Sequence, residues 1–446
     1  MTLLDARAAE LAGGRPYVER GDTTRPWYDG VAHALWRPVA ALAGGGVDRL
    51  GATVVARAAR LAAQLEAQTD AELGARFQAL AAPLRRRGFA PDIVGECFAI
   101  VREAARRRLG QRHYDVQLEA GALLLAGRLV EMATGEGKTL AATLPACTAA
   151  LAGIAVHVIT VNDYLARRDA QVMAPLYELL GLRVGVVVQG MAPAERRAAY
   201  RQHVTYCSNK ELAFDYLRDR AALGDQASPL HLAVEGLRDA RARGDATVLR
   251  GLSFAIVDEA DSVFIDEART PLILSTTTDA SGDQDACERA LTIARSLQAP
   301  AHFEVEQSHL RVRLTDLGRD EIEQLDDAFP EAGWPSPRER DENVQRALAA
   351  LHLYGRDRQY VVVDGKVQIV DESTGRIMPD RAWERGLHQM IEAKEGVTLT
   401  GRRDTLARIT YQRLFRRYLR LCGMTGTAAE VASEIGRTYG LSVVRV

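Results

Sequence analysis

Lysine is scarce in this chain. Of its 57 basic residues only four are lysines, Lys138, Lys210, Lys366 and Lys394, and arginine supplies the rest. Cysteine is scarce too: Cys97, Cys147, Cys207, Cys287 and Cys422 are odd in number, scattered and never spaced as C-x-x-C. That argues against a disulfide framework and a zinc site, and it points to a reducing compartment. Net charge is nearly absent, at −2, so no overall cationic field draws the chain to nucleic acid or anionic lipid. The start, Met1-Thr2-Leu3-Leu4-Asp5, lacks the basic-then-apolar order of a secretory signal. A clean membrane span is missing as well. Residues 139–162 carry no Asp, Glu, Lys or Arg, but Pro145, Gly153 and His157 interrupt them. The stretch reads as a helix, a turn and the buried strand Ile154–Thr160.

What is present is organised around Glu131-Met132-Ala133-Thr134-Gly135-Glu136-Gly137-Lys138-Thr139, a phosphate-binding loop. Met132 stands where the general pattern has its first glycine, but Gly135, Gly137, Lys138 and Thr139 are in place. Glycines let backbone N–H groups curl around phosphate oxygens, and the helix that follows adds its positive end. Lys138 offers a compact charge to the β- and γ-phosphates of ATP, and Thr139 a hydroxyl ligand for Mg²⁺. A lysine at this one position, in a chain that otherwise uses arginine, fits that role. Thr134 and Glu136 complete the loop's backbone cradle. Upstream lies Gln117, whose amide carries the donor and acceptor that an adenine edge requires.

After the loop, short β-branched runs at Ile154–Thr160, Leu182–Val188, His203–Ser208 and Leu252–Asp258 alternate with helical text at Asp163–Leu180 and Ala192–Arg201. That alternation predicts a parallel sheet with helices on both faces. The run Ile256-Val257-Asp258-Glu259-Ala260-Asp261 ends a strand in carboxylates. Asp258 suits Mg²⁺ and Glu259 suits the polarisation of an attacking water. From about residue 275 to 396 the rhythm changes, over too long a stretch for a loop. It holds a β-hairpin at Gln359–Val370 around Asp364-Gly365, a strand Arg311–Thr315, and helices Leu317–Leu325 and Asp341–His352. The remaining text predicts a helix Leu406–Leu421, a tight Gly423–Ala428 and a last strand Leu441–Val446. At 446 residues the chain has room for two or three domains. The fold class expected is α/β: a RecA-like P-loop NTPase parallel sheet with an inserted α+β domain.

These residues resemble the SecA preprotein-translocase motor ATPases. The resemblance runs from about Glu66 to the last residue. It includes Ala99–Ala104, Asp115-Val116-Gln117, Met132–Thr139, Val161–Ala166, Phe214–Asp219, Asp258–Ser275, Gly386–Gln389, Glu392–Gly396 and Gly423–Ala428. It implies four segments: an N-terminal extension of unassigned role (1–50), the first RecA-like lobe with a helical lead-in (51–274), an inserted preprotein cross-linking domain (275–396), and a return to the lobe with the start of the interlobe link (397–446). It implies an ATPase that uses ATP and Mg²⁺ and clamps unfolded preprotein for export through the Sec membrane channel. It places the protein in the cytoplasm, peripheral on the inner face of a bacterial membrane. Contact with an anionic membrane surface and a homodimer are allowed by the resemblance; a specific nucleic acid is not implied. The wording departs from the family at Cys207–Ala213 and at Pro379-Asp380, and nothing familiar matches the first 50 or so residues. A second lobe with its arginine finger, and a Cys/His-rich zinc tail, would lie beyond Val446. The chain therefore reads as a fragment or a truncated paralogue, weak as an ATPase by itself.

Two rival readings share the residues. A DEAD-box RNA helicase would spell Asp258-Glu259-Ala260-Asp261 the same way. Against it stand Thr160-Val161-Asn162-Asp163, Met424-Thr425-Gly426-Thr427 and the insertion. The other rival is a non-catalytic nucleotide- or peptide-binding regulator derived from the motor.

Overall fold

The computed structural model describes residues 17–21, 45–224, 247–277, 281–307, 310–326, 334, 336–370, 377–378, 382–383, 386–401 and 403–446. Pro379 and Asp380 lie outside that set. Two compact units divide the chain: one contains everything up to Leu274 and from Ala407 onward, and the other is Ser275–Leu406.

The first unit opens with helices α1 (Gly45–Glu66), α2 (Asp70–Ala79), α3 (Ala81–Arg87), α4 (Pro91–Leu109) and α5 (Asp115–Leu125). α2 starts where its sequence dictates. The Thr69 hydroxyl accepts from the Glu72 N–H, and the Glu72 carboxylate accepts from the Thr69 N–H at 2.7 Å, a capping box. Then strands and helices alternate: β1 (Leu129–Glu131), α6 (Lys138–Leu151), β2 (Val156–Thr160), α7 (Asp163–Leu179), β3 (Val184–Val187), α8 (Pro193–Tyr200), β4 (Val204–Ser208), α9 (Asn209–Leu223) and β5 (Phe254–Val257). The charge-free stretch after the loop is thus α6 and β2. No helix among the described residues is long and apolar enough to cross a membrane. A π-helix, Ser262–Asp266, follows β5 and leads to β6 (Pro271–Thr277).

The second unit packs α10 (Ser281–Ser296), β7 (Phe303–Glu306), β8 (Arg311–Leu314), α11 (Asp316–Asp326), α12 (Pro337–His352), β9 (Tyr360–Val363), β10 (Lys366–Val370), β11 (Ile377–Met378) and α13 (Leu387–Lys394) around Leu291, Val344, Leu348 and Ile391. β9 and β10 form the expected hairpin. Asp364 and Gly365 both take positive φ, 50° and 69°, as a type I′ turn requires. The sequence suggests a return to the lobe at residue 397, but this unit continues to Leu406. Thr400 gives its N–H (2.8 Å) and hydroxyl (3.0 Å) to Glu392, and its carbonyl accepts from Gln389, which ties the segment to α13.

The chain ends with β12 (Arg403–Thr410), α14 (Tyr411–Arg416), β13 (Arg420–Thr425), α15 (Ala432–Tyr439) and β14 (Val443–Arg445). This corrects the expected single helix Leu406–Leu421. Its Leu/Arg spacing imitates an amphipathic helix, but β12 pairs with β6 as a two-stranded ribbon. The Thr410 side chain caps α14 by accepting from the Arg413 N–H. Gly423, Met424 and Thr425 are not a turn either. They finish β13, which is buried along its whole length between β1 and β5.

The main sheet has seven strands in the order β14-β1-β13-β5-β2-β4-β3, every neighbouring pair parallel. Strand side chains alternate between its faces. On β5, Phe254 and Ile256 join a core with Phe98, Leu144 and Met173, while Ala255 and Val257 join one with Tyr216, Phe264 and Phe415. Both faces are therefore covered, as a parallel sheet needs. Residues from the N-terminal extension also lie on this unit: the Leu252 N–H donates to the Val18 carbonyl (2.6 Å), and the Arg20 N–H to the Arg417 carbonyl (2.8 Å).

Candidate functional site

In an open parallel sheet the carboxyl ends of strands from the two halves leave a crevice where ligands bind. Here β1, β13 and β5 are adjacent, and their carboxyl ends carry the phosphate loop, the Thr425–Ala429 turn and the Asp258–Asp261 run. Gly135 and Gly137 have φ of 91° and 76°, so the loop curls in a way that side-chain-bearing residues rarely adopt. Gly137 caps α6, and a Cβ there would sit 2.6 Å from the Gln117 amide nitrogen. Thr134 and Glu136 are exposed on the loop, and Thr139 is half-buried in the first turn of α6.

Lys138 is 9% exposed, and its ammonium is enclosed with no hydrogen-bond partner. Its nearest opposite charge is Glu259 Oε1 at 3.5 Å. A buried cation without a hydrogen bond is costly unless a ligand completes it, so the loop fits an incoming phosphate. Glu259 has φ +49°, unusual for a residue with a side chain. Asp258 accepts from the Glu259 N–H at 3.0 Å. Burial, with the Glu259 charge beside it, pushes the Asp258 carboxyl up to about 6, while Lys138 opposes the shift. A carboxylate that resists ionisation in isolation is a fitting ligand for a divalent cation, which removes that cost.

The Asp258 shift has a consequence for stability. Its folded pKa of about 6 lies above the ordinary 3.8. Between those values the native chain keeps a proton that the unfolded chain has lost, so this group's contribution falls as pH rises from about 4 to 6 and stays low above. Without nucleotide, Asp258→Asn should therefore stabilise the lobe at about pH 8 by on the order of 1–3 kcal/mol. The gain should shrink toward about pH 4. Paired thermal melts at the two pH values check this; equal melting of variant and wild type at the higher pH would contradict it.

Gln117 has both ends of its amide engaged. Its Oε1 accepts from the Tyr114 N–H at 3.0 Å, and its Nε2 donates to the Glu136 carbonyl at 2.7 Å. It therefore braces the phosphate loop from α5. Three features at this edge escaped the sequence reading. The Thr427 hydroxyl donates to Asp261. Burial works against the Asp261 carboxylate, but hydrogen bonds from Thr427 and Thr425 hold its pKa below the ordinary value. Asp169 is buried on α7, pairs with Arg168 at 2.7 Å, and adds to the field on Asp258. Its signal was present: with Ala166, Ala170, Met173 and Leu176 it falls on the buried stripe of α7, where an unpaired charge is not tolerated. Third, Glu131 ends β1 with its carboxylate turned into the Thr425–Ala429 turn.

A phosphate loop and a carboxylate strand on either side of β13, in a parallel sheet with both faces covered, define a P-loop nucleotide-binding lobe. The model of the family described as SecA DEAD-like domain matches residues 47–436. The chain belongs to the SecA family. It is 53% identical to a protein translocase subunit SecA 2 of Bordetella avium over 83% of this chain and 56% of that protein. It is also 53% identical to a SecA 2 of Nitrosospira multiformis, over 86% of this chain and 57% of that protein. With a protein translocase subunit SecA of Anaeromyxobacter it shares 43% identity over 88% of this chain and 39% of the relative. The chain thus spans about half the length of these two SecA 2 relatives. Family membership decides against the DEAD-box helicase reading.

Proposed function

We propose that this chain is the ATP-binding lobe and substrate-handling insert of a protein-translocation motor. The observation that carries the reading is the buried, hydrogen-bond-free Lys138 ammonium above a glycine-built loop, 3.5 Å from Glu259. Before nucleotide arrives, Glu259 is the counter-ion of Lys138. The β- and γ-phosphates of ATP take over that charge, and Glu259 is freed to orient and polarise water. Thr139 and Asp258 would hold Mg²⁺, which spreads the phosphate charge. By the family likeness Gln117 would also meet the adenine, with the second N–H and the second lone pair that its bonds to Glu136 and Tyr114 leave over.

The relatives are named protein translocase subunits; by that likeness the substrate here is unfolded preprotein and the membrane partner is the Sec channel. The second unit is the piece that would clamp the polypeptide. Its root, β6, follows directly on the carboxylate run and the π-helix, so a shift at Asp258–Asp261 has a short covalent route to it. Photo-cross-linkers placed at exposed positions of the second unit in the full chain should capture a signal-bearing, unfolded precursor and leave its folded mature form uncaptured. Equal capture of both, or of neither, would remove the substrate from the reading.

A further inference from the structure

Glu131 is the last residue of β1 and has no part in the chemistry above. Its side chain is 11% exposed. One carboxylate oxygen accepts two backbone N–H groups, from Ala428 at 3.0 Å and Ala429 at 2.6 Å. The other oxygen lies 3.6 Å from Arg445 Nε. Both amides belong to the turn that leaves β13. Within that turn the Thr427 N–H donates to Thr425 Oγ1, and the Thr427 hydroxyl donates to Asp261. A Cβ on Gly426 would sit 3.5 Å from the Thr134 methyl and 4.0 Å from Lys138 Nζ. One turn therefore runs beside the phosphate loop and its lysine and bonds to the end of the carboxylate run, and one carboxylate holds that turn.

We propose that Glu131 is a positioning residue: it fixes the Thr425–Ala429 turn over Lys138 and against Asp261, and so sets the site's preference for a nucleoside triphosphate over the diphosphate. This rests on the nucleotide reading of the loop. The physical reasoning is that two N–H groups on one carboxylate make charge-assisted bonds, stronger than the neutral bonds of an ordinary turn. The strands themselves cannot fix the turn, because the register of β1 with β13 ends at the pair Glu131 and Thr425. Beyond that pair one backbone bond follows, from the Met132 N–H to the Thr425 carbonyl at 2.9 Å, and the Ala428 and Ala429 amides then go to the Glu131 carboxylate. The turn lies beside Lys138 and the carboxylates, where the γ-phosphate charge would fall. A diphosphate needs the loop but not the turn.

The test uses the full 446-residue chain and calorimetric titration with ATP·Mg²⁺ and ADP·Mg²⁺. Glu131→Ala should lower ATP affinity about tenfold more than ADP affinity, the loss of one charge-assisted contact. Glu131→Gln keeps an oxygen of the same reach and should recover most of the ratio. Thr427→Val, which removes the turn's Thr427 bond to Asp261, should shift the ratio in the same direction as Glu131→Ala. If circular dichroism shows that Glu131→Ala does not fold, the Gln and Val variants carry the test. Equal losses for both nucleotides would make Glu131 a plain structural staple and overturn the assignment. So would an unchanged ratio in a chain whose ATP binding is lost on Lys138→Ala. A wild-type chain that binds neither nucleotide would overturn the nucleotide reading itself, and this inference with it.

Discussion

Phosphate release by the 446-residue chain alone should be slow, and adding a second RecA-like lobe should raise it by about 10³–10⁵-fold. That range corresponds to roughly 4–7 kcal/mol of barrier. Phosphoryl transfer spreads charge over the departing oxygens, and the protein must meet that charge from more than one side. Lys138 approaches from the loop, and Asp258 with Thr139 would hold the metal. Of the nearby arginines, Arg128 precedes β1 and donates to Ser442, at the opposite end of the strand from the phosphate loop. Arg168 is committed to Asp169. Arg445, at the end of β14, is set beside Glu131 at 3.6 Å, across β1 from the carboxylate strand; none of the three is held where a facing lobe supplies its cation in two-lobe motors. Steady-state phosphate assays with and without the second lobe, with Glu259→Gln as the background, measure the effect. Brisk turnover by the chain alone, lost in Glu259→Gln, would mean that a cation within this chain completes the site.

The fold was legible where local pattern and packing agree. β2, β3, β4 and β5 lie within the β-branched runs that suggest them: β2, β4 and β5 are buried at every residue, which leaves few polar choices, and the edge strand β3 is buried at alternate residues. The Asp364-Gly365 turn was legible because few residue pairs accept two positive φ values in succession. The segment from Leu406 to Leu421 was not. Its spacing suits a helix, and only pairing with β6, more than a hundred residues earlier, makes its first part a strand. The nature of β13 was hidden for a related reason. Gly423, Thr425 and Gly426 look like a turn, but a Cβ at Gly423 would meet the Ala260 side chain at 2.8 Å, so glycine there serves close packing in the sheet. At the site, the loop and the carboxylate run announce themselves by local wording. The Thr427–Asp261 bond and the Glu131 anchor join positions far apart in sequence, and no local pattern encodes them.

Lys138→Ala should cut ATP·Mg²⁺ affinity by roughly 100-fold or more, from the loss of a charge-assisted contact in an enclosed site. Folding should survive. Among the described residues the ammonium makes no hydrogen bond; its ion-pair partner Glu259 has a side chain 44% exposed and so open to water, and Asp258, which also feels the Lys138 charge, is already pushed up to about 6 by burial. The substitution therefore removes an unsatisfied buried cation, and the buried Asp258 carboxyl can offset the lost charge by keeping its proton more readily. A variant that melts like the wild type yet no longer binds nucleotide would separate function from stability at a single residue. The decisive measurement is calorimetric titration of ATP·Mg²⁺ into wild type and Lys138→Ala at equal concentration. A saturable, one-site isotherm for the wild type that flattens in the variant is the expected result. An isotherm unchanged by the substitution would place the nucleotide elsewhere and contradict the assignment of this loop.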